Sequence, residues 1–454
     1  MSITLAVWLI LFVSFTFLAF SRPAWGVAVY MLTVFLCPPF WWWGGPIAPY
    51  RWNFYAGWIV LAALVLSRLA KSEGPGVYDR RDTKRIAWIA VALLVNASLV
   101  HVALAANREI SSGPYTELAK FVLLFFLITL AVRDETDYRI VLLAILLGAA
   151  YIGYEVTIND RGRIVGNRLE GVGIPNAATA NGLASLMVTV LPLTGAFFLV
   201  GRRWEKLLML LAAPFIVNVL LLCDSRGAFL ACIASAVVFL AAAPRGIRKK
   251  AMKVVALGCV AVWLLLGDPR IVDRFMTTFI DAEERDHSAA TRLDYWQAGL
   301  RMLADYPLGA GGDGYHDVHG PKYIAQVSGV QFDSRSVHNG FINTACDWGI
   351  QGLVLSLAFL GGALALLWRT MRACNVRGDE RGALLACGLF AGVVGFLVTS
   401  LFGDYLDNEW GYWIAACAVA HAGLYSVSSV GAYRMQQPLY YGYRFWPRRE
   451  HGLA

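Results

Sequence analysis

Stretches of about twenty apolar residues recur along the chain with only short polar connections between them, and that repeat excludes most architectures. A backbone in hydrocarbon must satisfy its own hydrogen bonds, which leaves helices or a closed barrel. The stretches lack the apolar and polar alternation of barrel strands, so helices remain. They fall near 3–20, 24–40, 53–70, 86–106, 116–132, 139–157, 179–200, 205–222, 227–243, 251–267, 341–368, 383–402 and 410–428. The first two are separated only by Ser21-Arg22-Pro23 and would count as one if they form a single broken unit. The expectation is an all-α polytopic membrane protein with 12–13 transmembrane helices. Hydrophobic residues at 58% against charged residues at 15% agree with that class.

A formal charge of +8 would suggest nucleic acid as a partner for a soluble chain, but here the basic residues sort by side. Arg68, Lys71, Arg80, Arg81, Lys84 and Arg85 share one connection; Arg202, Arg203 and Lys206 share another. Arg245 to Lys253 and Arg369 to Arg381 continue the pattern on alternate connections. The positive-inside rule makes these cytoplasmic and predicts membrane lipids, not nucleic acid, as the surroundings. The segments 41–52, 107–115, 158–178, 223–226, 268–338 and 403–409 then face outward. The first span begins almost at Met1 without a basic leader and is expected to be retained. The eight cysteines are scattered and form neither a disulfide framework nor a CxxC pattern.

The organisation expected is therefore spans over 1–267, a large outward loop over 268–338, the last three spans over 339–428, and a cytoplasmic tail over 429–454. The tail mixes Tyr, Trp and Arg, as an interfacial segment does. The loop is the least economical part of the chain, and it is where chemistry is expected. Thr291 to Leu300 reads as an amphipathic helix ending near Tyr306-Pro307-Leu308-Gly309. Gly309, Gly311, Gly312 and Gly314 read as a flexible turn; there is no Walker lysine and no Rossmann spacing to make it a nucleotide site.

Outward arginines form the next set. Arg168 stands in Gly166-Asn167-Arg168-Leu169-Glu170, ahead of Pro175-Asn176, and Arg226 stands in Ser225-Arg226-Gly227 at the mouth of a span. Arg292 and Arg335 lie in the loop. Each alone reads more readily as a snorkelling or acid-paired structural residue. Together they suit the oxygens of a lipid-linked phosphate, because guanidinium recognises them bidentately. His338 closes the loop beside Asn339, and an imidazole is suited to take a hydroxyl proton near neutral pH. A helix-entry histidine bonded to backbone is the structural alternative. Asp313, His316, Asp317 and His319 raise a divalent metal as a third option, at a spacing that is not diagnostic.

Arg292 with Tyr295-Trp296, Pro307-Leu308-Gly309, His338-Asn339, and then Gly349 and Gly352 together resemble the bacterial O-antigen ligase and polymerase family, which includes protein O-oligosaccharyltransferases. Arg168, Pro175-Asn176 and Ser225-Arg226-Gly227 fit the same order, so the resemblance runs over about 160–355. It implies a C-type glycosyltransferase architecture with a periplasmic loop over the active site, in the bacterial inner membrane. It implies transfer of a glycan from undecaprenyl diphosphate to a hydroxyl of lipid A core, of a growing glycan or of a protein, with no metal and no cofactor. By matching position, His338 would be the base, Arg226 and Arg292 would hold the diphosphate with Arg168 and Arg335 beside them, and Asn339 would orient the imidazole. The Pro38-Pro39-Phe40-Trp41-Trp42-Trp43 segment is not part of that pattern. A transporter or flippase is the rival class, but paired inverted repeats and mid-membrane charges are not evident.

Overall fold

The computed structural model describes residues 2–69, 81–165, 168–265, 282–331 and 334–425. The expected tail, Lys71 and Arg80, the Gly166-Asn167 pair and the start of the long loop lie outside the described residues.

A described helix lies over each of the thirteen apolar stretches. Before the loop these are α1 Ile3–Ala19, α2 Pro23–Phe35, α3 Trp52–Leu69, α4 Arg81–Leu99, α5 Arg108–Ala131, α6 Glu135–Thr157, α7 Ala180–Val200, α8 Arg203–Leu222, α9 Arg226–Ala242 and α10 Arg245–Leu265. The loop carries α11 Ala282–Asp305 and α12 Gly320–Ser328, and α13 Gly340–Arg377, α14 Glu380–Ser400 and α15 Glu409–Tyr425 follow. Between α6 and α7 a two-stranded antiparallel hairpin, β1 Arg163–Val165 with β2 Arg168–Glu170, is the one sheet among the described residues.

Nine of the described helices are long and apolar enough to cross a membrane. That makes the chain an all-α polytopic membrane protein. The others fall short for local reasons. Helices α1 and α9 have 17 residues each. Helix α10 opens on Arg and Lys, and α15 contains Trp, Tyr, Glu and His. Helix α15 tolerates those polar residues because it is buried from Glu409 to Ala422 and faces protein, not lipid. Helices α1 and α2 pack on one another as two helices, with Pro23 at the first turn of α2.

Helix α14 sits at the centre against α7, α9 and α13. Small residues allow this: a Cβ on Gly392 would lie 2.5 Å from the Thr189 carbonyl oxygen, and one on Gly388 would lie 2.9 Å from Ala196 Cβ and 3.1 Å from Leu193 Cα. At one end of the bundle five arginines among the described residues pair with carboxylates. Arg22 pairs with Asp134 at 2.8 Å and Asp137 at 3.0 Å, Arg133 with Asp137, Arg381 with Glu135, Arg369 with Asp82, and buried Arg139 with Glu205.

At the opposite end α13 is broken, and the break holds the loop. Gly349 has φ +82°, which interrupts the helix eleven residues after His338. The Pro307–Gly311 segment is wedged into the gap: Ala310 N donates to Cys346 O at 2.9 Å, Gly311 N to Asp347 O at 3.0 Å, and Ile350 N to Pro307 O at 3.0 Å. The Asn96 amide of α4 donates to Trp348 O at 2.9 Å, and Gln351 donates to Leu308 O at 2.8 Å. Carbonyls left open by the break are thus satisfied from outside the helix. The glycine run is a correction to the flexible turn expected from sequence; it is a bonded plug whose glycines permit backbone contact. Gly309 has φ +95°, and a Cβ there would sit 2.6 Å from Gly349 N. Gly309→Ala is expected to cost about 1–3 kcal/mol of stability in backbone strain, before steric overlap is counted. Thermal melting of the purified variant in detergent is the check, and an unchanged midpoint would contradict the wedge.

Candidate functional site

The long loop packs as a cap with its own small core. Tyr295, Ala298 and Met302 of α11 meet Tyr315, Ile324 and Val337. The Tyr315 hydroxyl donates to Tyr295 O at 3.0 Å, and the Cys346 thiol of α13 donates to Gly299 O at 3.3 Å. The cap therefore sits on the half-turns of α13 that follow His338. On its other side the Ser111 hydroxyl of α5 accepts from Gly312 N at 3.0 Å, and Ala106 N donates to Ala310 O at 2.9 Å.

His338 lies in the left-handed region with φ +55°, an uncommon place for a residue with a Cβ. Three contacts hold the chain there. Ser336 Oγ accepts from His338 N at 3.2 Å and lies 3.3 Å from His338 Nδ1. The same hydroxyl donates to Asp404, from the connection between α14 and α15, and Asn339 N donates to Asp404 Oδ1 at 2.9 Å. Asn339 caps α13: its side-chain oxygen accepts from Phe341 N at 3.0 Å and Ile342 N at 3.2 Å. The polar group linked to the imidazole is thus Ser336, backed by Asp404, while the Asn339 oxygen is taken by the helix end. The Tyr295 ring lies 6.1 Å from the imidazole.

The electrostatics follow from that packing. Burial lowers the pKa of His338; Asp404 opposes the shift, while Arg292, Arg335 and Arg168 add to it. Burial raises the pKa of Asp404, against the Ser336 hydrogen bond, the imidazole and the backbone donors of Asn339 and His338. The net shift is downward, which favours the neutral, basic form of His338. Asp404→Asn removes the charge that favours imidazolium, so the acid limb of any activity profile should move to lower pH while the maximal rate falls. A pH profile that keeps its acid limb would contradict this arrangement.

Four arginines act on this site from separate parts of the chain. Arg292 of α11 has its pKa lowered by burial and by the like charges of Arg168 on β2 and Arg226 at the start of α9, with Tyr405 opposing. Arg335 precedes Ser336, and its backbone N donates to His316 O at 3.2 Å. Among the described residues no carboxylate lies within ion-pair distance of Arg168, Arg226 or Arg292, in contrast to the paired arginines at the other end. Like charges that repel one another without an ion-paired acid leave a positive potential around Arg292.

The remaining sequence candidates separate. His316 Nδ1 lies 2.7 Å from Asp317 Oδ1, whereas His319 stacks on Tyr306 with ring centroids 4.4 Å apart. Among the described residues no group of three or more His, Cys, Asp or Glu side chains is placed to hold a metal ion. Asn176, with φ +66°, reaches Glu409 of α15, which also accepts from the Tyr30 hydroxyl at 2.7 Å. Pro175-Asn176 thus ties the connection before α7 to the bundle.

Asp404, Ser336 and Tyr405 were not among the candidates read from sequence. Ser336 was visible only as a neighbour of His338. Asp404 and Tyr405 come from the short connection 403–409, some 65 residues away, where a lone Gly-Asp-Tyr carries no spacing signal.

Residues 207–357 match the O-antigen ligase family model. The motif resemblance is thus borne out over this segment, from α8 to the first half of α13. Members of that family are glycan-transferring enzymes. The O-antigen ligase match includes Arg226, Arg292, Arg335, His338 and Asn339, and leaves Arg168 and Asp404 outside its limits. No curated protein is similar enough to the chain to match it.

Proposed function

We propose that the protein is a periplasmic glycosyltransferase of the bacterial inner membrane that moves a glycan from undecaprenyl diphosphate to an acceptor hydroxyl, with lipid A core as the acceptor. The observation that carries this reading is the set of acid-free arginines, Arg168, Arg226 and Arg292, beside a His338 whose neutral form is favoured. The match to O-antigen ligases supports it.

In this reading the arginines bind the diphosphate and stabilise the charge that grows on its bridging oxygen as the sugar C1–O bond breaks. His338 takes the proton of the acceptor hydroxyl as that oxygen forms the new glycosidic bond. Ser336 and Asp404 hold the imidazole and offset its positive charge. The products are the glycosylated acceptor and undecaprenyl diphosphate, and the proton leaves through His338. Helix α9 starts at Arg226, so the positive end of its dipole adds potential near the same anion, although Ser225 already caps Ala228 N.

The test is purified protein in lipid with undecaprenyl-diphosphate-linked glycan and, in parallel, lipid A core, free glycan and unfolded peptide acceptors. Transfer to lipid A core supports the ligase reading. Transfer to glycan or peptide alone would reassign the acceptor, and movement of donor across the bilayer without a new glycosidic bond would overturn the enzyme.

A further inference from the structure

The Trp41-Trp42-Trp43 segment plays no part in the chemistry above, yet it is built with care for one ring. Trp41 and Trp43 are 5% and 3% exposed, whereas Trp42 is 50% exposed. Trp42 is nevertheless fixed. Its Nε1 donates to Glu155 Oε2 at 3.1 Å, and Glu155, 1% exposed at the end of α6, also accepts from the Tyr151 hydroxyl at 2.6 Å. Trp43 Nε1 donates to that hydroxyl at 2.9 Å, and Trp41 packs edge-on against the Tyr151 ring at 5.3 Å. Arg161 N donates to Glu155 O at 3.1 Å, and its guanidinium lies over the Trp42 ring at 4.6 Å.

A tryptophan that anchors a protein at a membrane interface turns its N–H toward water and headgroups. Trp42 does the reverse: its N–H is held by a buried carboxylate, and what it leaves outward is ring surface with a cation beside it. Exposed Arg161 and Arg163 have no carboxylate within ion-pair distance among the described residues. A fixed, half-exposed ring with the Arg161 guanidinium over it matches a saccharide, whose C–H groups pack on the ring surface left free while its hydroxyls or carboxylates accept hydrogen bonds from the guanidinium.

The hairpin connects this surface to the reaction centre. Arg163 pairs with Glu170 and Val165 with Arg168, so Arg168, which acts on His338, and Arg161 stand at opposite ends of one ribbon. At strand rise the four steps from Arg161 to Val165 span at most on the order of 13 Å. A glycan whose first sugar reacts at His338 would cover that distance with its next few units.

We propose that Trp42 with Arg161 forms a saccharide subsite that reads sugars remote from the reacting bond. This rests on the glycan-transfer reading and names a recognition element within it. Trp42→Ala and Arg161→Ala are compared with wild type, using lipid-linked glycan extracted from the source strain and undecaprenyl diphosphate carrying a single sugar. Each donor is paired with lipid A core as the glycan acceptor and with a monosaccharide acceptor. For Trp42→Ala the KM for the long donor is expected to rise about tenfold with kcat and the single-sugar donor unchanged. Arg161→Ala, an exposed change, should give a smaller rise of the same kind. Selective loss with the glycan acceptor instead would assign the subsite to the acceptor chain. Equal loss with every substrate, or no loss with any, overturns the subsite. Failure of wild type to transfer from either donor would instead overturn the glycan-transfer reading.

Discussion

Replacing His338 by Ala is expected to lower glycan transfer by about 10²–10⁴-fold, the usual contribution of a positioned general base, while the protein remains inserted and folded. The fold should survive because the segment is held by its neighbours. Ser336, the Asn339 backbone and Asp404 bond to one another, and Asn339 caps α13 without help from the imidazole. The left-handed backbone at this position suits Ala somewhat less than His, but the Ser336, Asn339 and Asp404 bonds that impose it do not involve the imidazole. The loss should lie in kcat, with donor binding retained, because the arginines are untouched. Single-turnover transfer from lipid-linked donor measures it. A His338→Ala protein that transfers at the wild-type rate would remove the mechanism, whatever became of the arginines. The acid limb in wild type should fall below the usual histidine range, since burial and three arginines depress the pKa of His338 and a base works only when unprotonated.

Arg292→Ala is the second large effect, expected at about 10²–10³-fold in kcat/KM if the guanidinium meets charge that grows in the transition state. Its like-charged neighbours sharpen the prediction. Removing Arg292 relieves Arg168 and Arg226, so the ligand-free protein should be no less stable, and the penalty should appear only when the diphosphate is present. Arg292→Lys restores charge but not the planar fork and should recover activity only in part. Binding of undecaprenyl diphosphate, followed by its stabilisation of the protein against heat, separates this from a general folding defect. An Arg292→Ala protein that is destabilised without ligand, yet binds diphosphate as wild type does, would assign the residue to structure.

The glycine wedge and the broken α13 show where local reading falls short. Gly309, Gly311, Gly312 and Gly314 are glycines that sequence chemistry assigns to a turn. Their use depends on Gly349, about forty residues later, whose positive φ opens the carbonyls and amides that the turn then fills. Neither segment announces the other. Asp404 is a similar case: an acid in a short connection, meaningful only because α14 and α15 return it beneath Ser336 and Asn339. Trp42 is another, since three consecutive tryptophans read alike until burial separates the two that pack from the one that does not.

What the sequence by itself determined was the class of protein and the parts for its chemistry. Apolar runs of membrane length leave the backbone no solution but helices, and sorted Lys and Arg divide the connections into two sets. Within those limits His338 and the arginines stood out because polar residues beside membrane helices are costly and need a reason. Tertiary structure decided which of them meet, and what restrains them. Arg168, Arg226 and Arg292 come from a hairpin, a helix start and a loop helix; only their packing brings three separate charges close enough to act on one another. Side-chain chemistry is local and can be read residue by residue. Electrostatic repulsion, burial and a histidine held by an acid 66 positions away depend on distance in space, which the order of residues does not encode.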